Sequence, residues 1–166
     1  MKKAIGNRYF SSTKQMAIQA MKGHAYVLMI LGEYDRALYD LDCASDLVDK
    51  LFTTKIWTRK LFDRISLREI ERADILMLKS WIYKTKGNMN KAMMQLQQMI
   101  RNQSEKINPK YKGEILNRIN RTRVGIFNTM GAIYGDRGIY IKAISCFKKH
   151  FAISKKIRDV GGMGTA

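Results

Sequence analysis

Apolar residues recur along this chain at intervals of three and four, the spacing of one helix face, and three stretches share a single register. One reads Phe127-x-x-Met130-Gly131-x-x-Tyr134 and continues as Gly138-x-Tyr140-x-x-Ala143-x-x-x-Phe147. Another reads Met21-x-x-His24-Ala25-x-x-Leu28, then Gly32-x-Tyr34-x-x-Ala37-x-x-x-Leu41. Between them lies Leu76-x-x-Lys79-Ser80-x-x-Tyr83, then Gly87-x-Met89-x-x-Ala92-x-x-x-Leu96. Each stretch predicts a helix ended by a glycine, which takes a left-handed backbone without steric cost, and a second helix that returns against the first. The steps at Asp35, Asn88 and Gly138-Ile139 lead into the second helices.

Small residues hold fixed places in this pattern. Ala25, Ser80 and Gly131 each lie seven positions before a glycine, where a neighbouring helix can cross closely. Ala37, Ala92 and Ala143 each lie five positions after it, where the returning helix touches the first. Together these residues resemble the tetratricopeptide pattern W-x-x-L-G-x-x-Y followed by A-x-x-x-F. The resemblance covers units of about residues 15–50, 70–105 and 121–158, and the third unit matches it best. It implies an all-α fold, a right-handed superhelix of antiparallel helix pairs, with residues 1–166 forming one domain. The pattern departs at His24 and Lys79, which stand where the family has a large apolar residue, and at Pro109, which falls late.

The glycines are 55 and then 51 residues apart, against a tetratricopeptide unit of about 34. Two stretches hold the extra length. Leu51 to Arg68 reads as an extended second helix with a linking turn, and Gln103 to Gly113 as a loop. Residues 159–166 read as a tail or the start of a further unit. Ile153 to Ala166 resembles the join between units in the long-repeat branch that includes the Pins-like adaptors, where such a segment opens another unit. On that reading, the last helix needs a neighbour to cover it. The branch usually carries Asn after the Gly of its L-G motif; here Ala132 follows Gly131, so its ligand does not transfer.

Composition agrees with an all-helical domain: hydrophobic residues make up 46% of the chain and there is one proline. Cys43 and Cys146 form no C-x-x-C pair, so no disulfide framework or zinc site is implied, and a reducing, cytoplasmic setting is expected. Gly6, Asn7 and Arg8 interrupt any signal-peptide core behind Lys2-Lys3, and no uncharged apolar run approaches membrane-spanning length. The net charge of +17 predicts attraction to something acidic. The excess is densest over Lys50 to Arg64 and Arg101 to Arg123.

No catalytic constellation, metal site or cofactor is expected. His24 and His150 are isolated, and His24 falls on the packing stripe, as a core or boundary histidine would. Gly161, Gly162 and Gly164 are too closely spaced for a dinucleotide fingerprint. The chain therefore reads as a protein-interaction scaffold, not an enzyme, holding a peptide or helix of a partner on the concave side lined by first helices. Residues off the packing pattern name that face: Gln19, Lys22, Tyr26 and Met29; Asp74, Met77, Trp81 and Lys84; and Asn128, Thr129, Ala132 and Asp136. Tyr26, Met29, Met77 and Trp81 would form its apolar floor, with Lys22 and Lys84 favouring acidic residues in the ligand. Lys22 and Asn128 are the only match to the carboxylate clamp of tetratricopeptide co-chaperones, so that ligand class is not implied. The alternative is a basic helical repeat that binds RNA or another polyanionic surface. Assembly into an oligomer is compatible with either reading.

Overall fold

Each predicted glycine ends a helix in the same way. Gly32, Gly87 and Gly138 have φ of 80°, 77° and 71°, the left-handed region where a side chain would strain the backbone. The amide of each glycine donates to a carbonyl three residues back, and the amide after it reaches five residues back: Glu33 to Leu28 at 2.9 Å, Asn88 to Tyr83 at 2.8 Å, Ile139 to Tyr134 at 2.8 Å. This paired arrangement is a Schellman cap. The same three residues then start the next helix, because their carbonyls accept from Ala37, Ala92 and Ala143 at 3.0, 3.1 and 3.1 Å. In the middle turn Asn88 also caps the new helix with its side chain, accepting from the Lys91 amide at 3.2 Å, a role typical of asparagine. Asp35 lies inside the first turn of α2, where its charge suits the helix N-terminus.

The structure is a computed structural model that describes residues 2–52, 59–106 and 114–157. Among the described residues all regular structure is helical, in six helices: α1 (Lys2–Ile30), α2 (Tyr34–Phe52), α3 (Arg59–Thr85), α4 (Met89–Lys106), α5 (Glu114–Asp136) and α6 (Tyr140–Ile157). None of these helices is long and apolar enough to cross a membrane.

The extra length between glycines sits elsewhere than the pattern predicts. Leu51 and Phe52 belong to α2 and Arg59 to Arg68 to the front of α3, while residues 53–58 of the expected extension lie outside the described residues. First helices have 29, 27 and 23 residues and second helices 19, 18 and 18. Apolar and basic residues around Trp57 fit helix and turn equally well on spacing alone, which is why the boundary was misplaced. α4 likewise runs on through Gln103 to Lys106. Pro109, the rest of the expected loop, and the tail at 159–166 lie outside the described residues.

The chain divides into two compact units, Met1–Ile82 and Tyr83–Ala166, with the division falling inside α3. In the first, Ile18, Ala25 and Leu28 of α1, Ala37, Leu41, Ala44, Val48 and Leu51 of α2, and Ile75 and Ile82 of α3 form one buried cluster. In the second, Ala92, Met93, Leu96 and Met99 of α4, Ile119, Val124, Ile126, Met130 and Ile133 of α5, and Ala143 and Cys146 of α6 are buried.

The small residues serve those contacts. Ala25, Ser80, Ala37, Ala92 and Ala143 are buried, and the Ser80 hydroxyl is satisfied by the Met77 carbonyl at 2.7 Å. A methyl group on Gly131 would lie 2.7 Å from the Phe147 ring, so that ring rests on bare helix backbone. The repeat equivalents of Phe147 are Leu41 and Leu96, and those of Gly131 are Ala25 and Ser80. In the third hairpin the small residue on one helix is thus matched by a large ring on the other.

Candidate partner-binding face

The stripe left over from packing is partly exposed and partly tied down. Tyr26 and Trp81 occupy the same repeat position, six residues before their glycines. They keep 44% and 41% of their surface in contact with solvent. Met77 is half-buried, and Met29 is half-buried against the core cluster of the first unit. Asn128 and Ala132 of α5 are half-buried and Asp136 is exposed. Thr129 is buried, so it is a packing residue and not an outward one. Its position, nine residues before Gly138, matches half-buried Leu78 in α3, which also packs on the core.

The two lysines of this face are bound to carboxylates of the chain itself. In the first unit the Lys22 ammonium lies 2.9 Å from Glu71 and 3.3 Å from Asp74 of α3. Gln19 donates a further hydrogen bond to Glu71 at 3.1 Å. Glu71 is only 2% exposed, and a carboxylate that deep must have its charge answered. In the second unit Lys84 lies 3.3 Å from Asp136. The positive rim expected here is therefore largely spent inside the molecule.

Polar residues also join the helices at positions that the pattern assigns to core. His24 is exposed, with its Nδ1 2.6 Å from Asp40 of α2. Lys79, at the equivalent position of α3, lies 2.5 Å from Asp42. This register position is at the edge of the contact, where a long or polar side chain reaches the neighbouring helix. Only in α5, with Met130, is it buried and apolar. Farther along α2, Asp49 is held by Arg72 at 2.6 Å and Arg68 at 3.0 Å. Burial by itself would raise its pKa, but hydrogen bonds from Arg72 and Arg68, with their charges, outweigh that and hold it below the usual value.

Sequence reasoning missed Glu71, Asp42 and Asp49. A signal existed for the first: Glu71 is four residues before Ile75, on the stripe that continues through Leu78 and Ile82. A carboxylate on such a stripe calls for a buried cation.

In the second unit His150 and Ser154 are buried on α6. Neither ring nitrogen of His150, nor the Ser154 hydroxyl, has a hydrogen-bond partner among the described residues. Cys146 lies on the same face, and its burial pushes the thiol pKa up, against a smaller opposing pull from Lys149. A protonated thiol is a filler and a poor nucleophile. Cys43 is half-buried. Among the described residues no cluster of three or more His, Cys, Asp or Glu is placed to hold a metal ion.

No protein-family model, curated protein or solved structure matches this chain.

Proposed function

We infer that this chain is a non-catalytic scaffold of tetratricopeptide type, whose first helices bind a peptide or helix of another protein. The observation that supports this most is the repetition of an exposed aromatic ring. Tyr26 and Trp81 stand at one repeat position, with more than two-fifths of each ring's residue in solvent, and beside Tyr26 on α1 Val27 and Ile30 are exposed as well. Large rings kept at the surface at a repeated position suit contact with a partner, because aromatic anchors supply much of the binding energy at interfaces. Met77 adds an adaptable apolar surface beside Trp81, one turn away on the same helix.

Because Lys22 already pairs with Glu71 and Asp74, the ligand that the first unit's face fits is apolar first and acidic only second. A photoreactive phenylalanine analogue at position 81 tests the reading in cell lysate. It should give protein adducts that survive nuclease treatment and are lost on Tyr26→Ala. Adducts made only with nucleic acid, or adducts unaffected by Tyr26→Ala, would replace the scaffold with a polyanion-binding reading centred on Arg118, Arg121 and Arg123.

A further inference from the structure

The three hairpins can be compared position by position, and α6 differs from α2 and α4 on one face. Tyr140, Ile144, Phe147 and Phe151 follow each other at intervals of four, three and four residues, which lines them up along the helix. Their equivalents in α2 are Tyr34, Leu38, Leu41 and Ser45. There Leu41 is fully buried, and Tyr34 and Leu38 pack on the cluster to which α3 contributes Ile75 and Ile82. In α4 the equivalents Met93 and Leu96 are buried, and α4 packs against α5. In α6 the stripe is open: Tyr140, Ile144 and Phe151 are 68%, 54% and 47% exposed. In the first two hairpins a first-type helix packs on this face, and in the third no described helix does.

Charge specifies what would cover it. α3 is fastened to α2 through Asp42, which takes Lys79, and Asp49, which takes Arg68 and Arg72. The residues of α6 at those same positions, ten and seventeen after the glycine, are Lys148 and Lys155. Each follows an apolar residue of the open stripe by four, so it flanks that stripe on the helix surface. α6 contains Lys142, Lys148, Lys149, Lys155 and Lys156 and no acidic residue. A basic helix such as α3, or α1 with Lys14 and Lys22 and no acidic residue over Thr13 to Leu31, would meet like charge there.

We propose that the open face of α6 docks an acidic amphipathic helix of a partner protein. That helix runs antiparallel to α6, as α3 does to α2. It presents apolar residues where α3 has Ile75, Leu78 and Ile82, and carboxylates where α3 has Lys79 and Arg68 or Arg72. Lys148 and Lys155 receive the carboxylates, while Tyr140, Ile144 and Phe151 supply the apolar contact.

The repeat itself provides the probe. A labelled peptide of Arg68 to Thr85 with Arg68→Glu, Arg72→Glu and Lys79→Glu is titrated with the full chain by fluorescence anisotropy, beside the unaltered peptide. The altered peptide should bind at least about tenfold more tightly, and its affinity should fall as salt rises. Ile144→Glu should reduce that binding about tenfold, whereas Trp81→Ala should leave it unchanged. Lys148→Glu with Lys155→Glu should reverse the preference towards the unaltered peptide. Equal binding of both peptides, binding of neither, or no effect of Ile144→Glu overturns the proposal. So does concentration-dependent self-association in sedimentation that is abolished by Ile144→Glu, since a second copy would then be the occupant.

Discussion

In the first hairpin the second helix has neighbours on two sides. Ala37, Leu41, Ala44 and Val48 are buried in a cluster shared by α1, α2 and α3, and the carboxylates of α2 are paired with His24, Arg68, Arg72 and Lys79. The last hairpin has the same turn and the same buried alanine, Ala143, yet where α2 buries Ala44 and Val48, α6 buries His150 and Ser154. Its outer apolar stripe faces solvent. The comparison separates two kinds of information. The hairpin is specified locally, by a Schellman glycine and a pair of small residues that let two helices touch. What lies beyond the hairpin is specified by the outer face of its second helix, in apolar residues and in the sign of charge.

The strongest way to break this comparison is to remove the ionic tie in the first unit. Lys22→Met removes the ammonium that lies 2.9 Å from buried Glu71, and should destabilise that unit by about 3 kcal/mol. Adding Glu71→Gln should recover most of the loss. Chemical denaturation monitored at Trp81 measures both, and a Lys22→Met chain as stable as the parent would mean that Glu71 is not held by this pair.

A second test uses one repeat position in two environments. Met93 of α4 and Ile144 of α6 both lie six residues after their glycines, and only the former is buried. Met93→Ala should cost about 2 kcal/mol or more, and Ile144→Ala less than about 0.5 kcal/mol. Equal losses would show that the outer face of α6 is covered within the chain itself.

The hairpins were legible in the sequence because their determinants are short-range. Glycine, the small residue seven before it and the alanine five after it lie within a dozen residues, and all nine fall where the pattern places them. Helix ends set by tertiary packing were not. The front of α3, Arg59 to Arg68, has the same mixture of apolar and basic residues whether it ends one helix or begins the next. The exposed stripe of the first helices was half legible. Spacing found Tyr26 and Trp81, because an aromatic off the packing stripe needs no partner to be recognised. Spacing could not show that Lys22 and Lys84 are neutralised, because Glu71 and Asp136 are each about fifty residues away in sequence. The Asp42 and Asp49 pairs also join different helices, Asp42 with Lys79 and Asp49 with Arg68 and Arg72, and they hid the charge reversal at Lys148 and Lys155.

A third test concerns the buried face of α6. His150 fills the position held by Ala44 and Met99 in the other hairpins, and a buried polar group without a hydrogen bond is costly. His150→Met should therefore stabilise the second unit by about 1 kcal/mol. A loss of stability measured by thermal denaturation would instead indicate that the ring is satisfied by a bound water or partner group.

The smallest effect expected is one of pH, and it bears on the same pair of positions, 49 and 155. The Asp49 pKa lies below the ordinary aspartate value in the folded chain, so its ionised form is the one that folding favours. Its contribution is complete above that value and is lost as pH falls through the lower folded pKa. The pair with Arg68 and Arg72 is partly solvated, which limits the contribution to about 1 kcal/mol or less. Asp49→Asn should lower stability slightly at neutral pH and make the acid limb below about pH 4 shallower. Denaturant midpoints measured from pH 7 down to pH 3 would show this, and an unchanged acid limb would mean that Asp49 has the same pKa folded and unfolded. At the equivalent position of α6 stands Lys155. An acidic helix docked there would lose its own carboxylate charges instead, so the α2–α3 contact and the α6 complex should both weaken in acid, the first through Asp49 and the second through the partner.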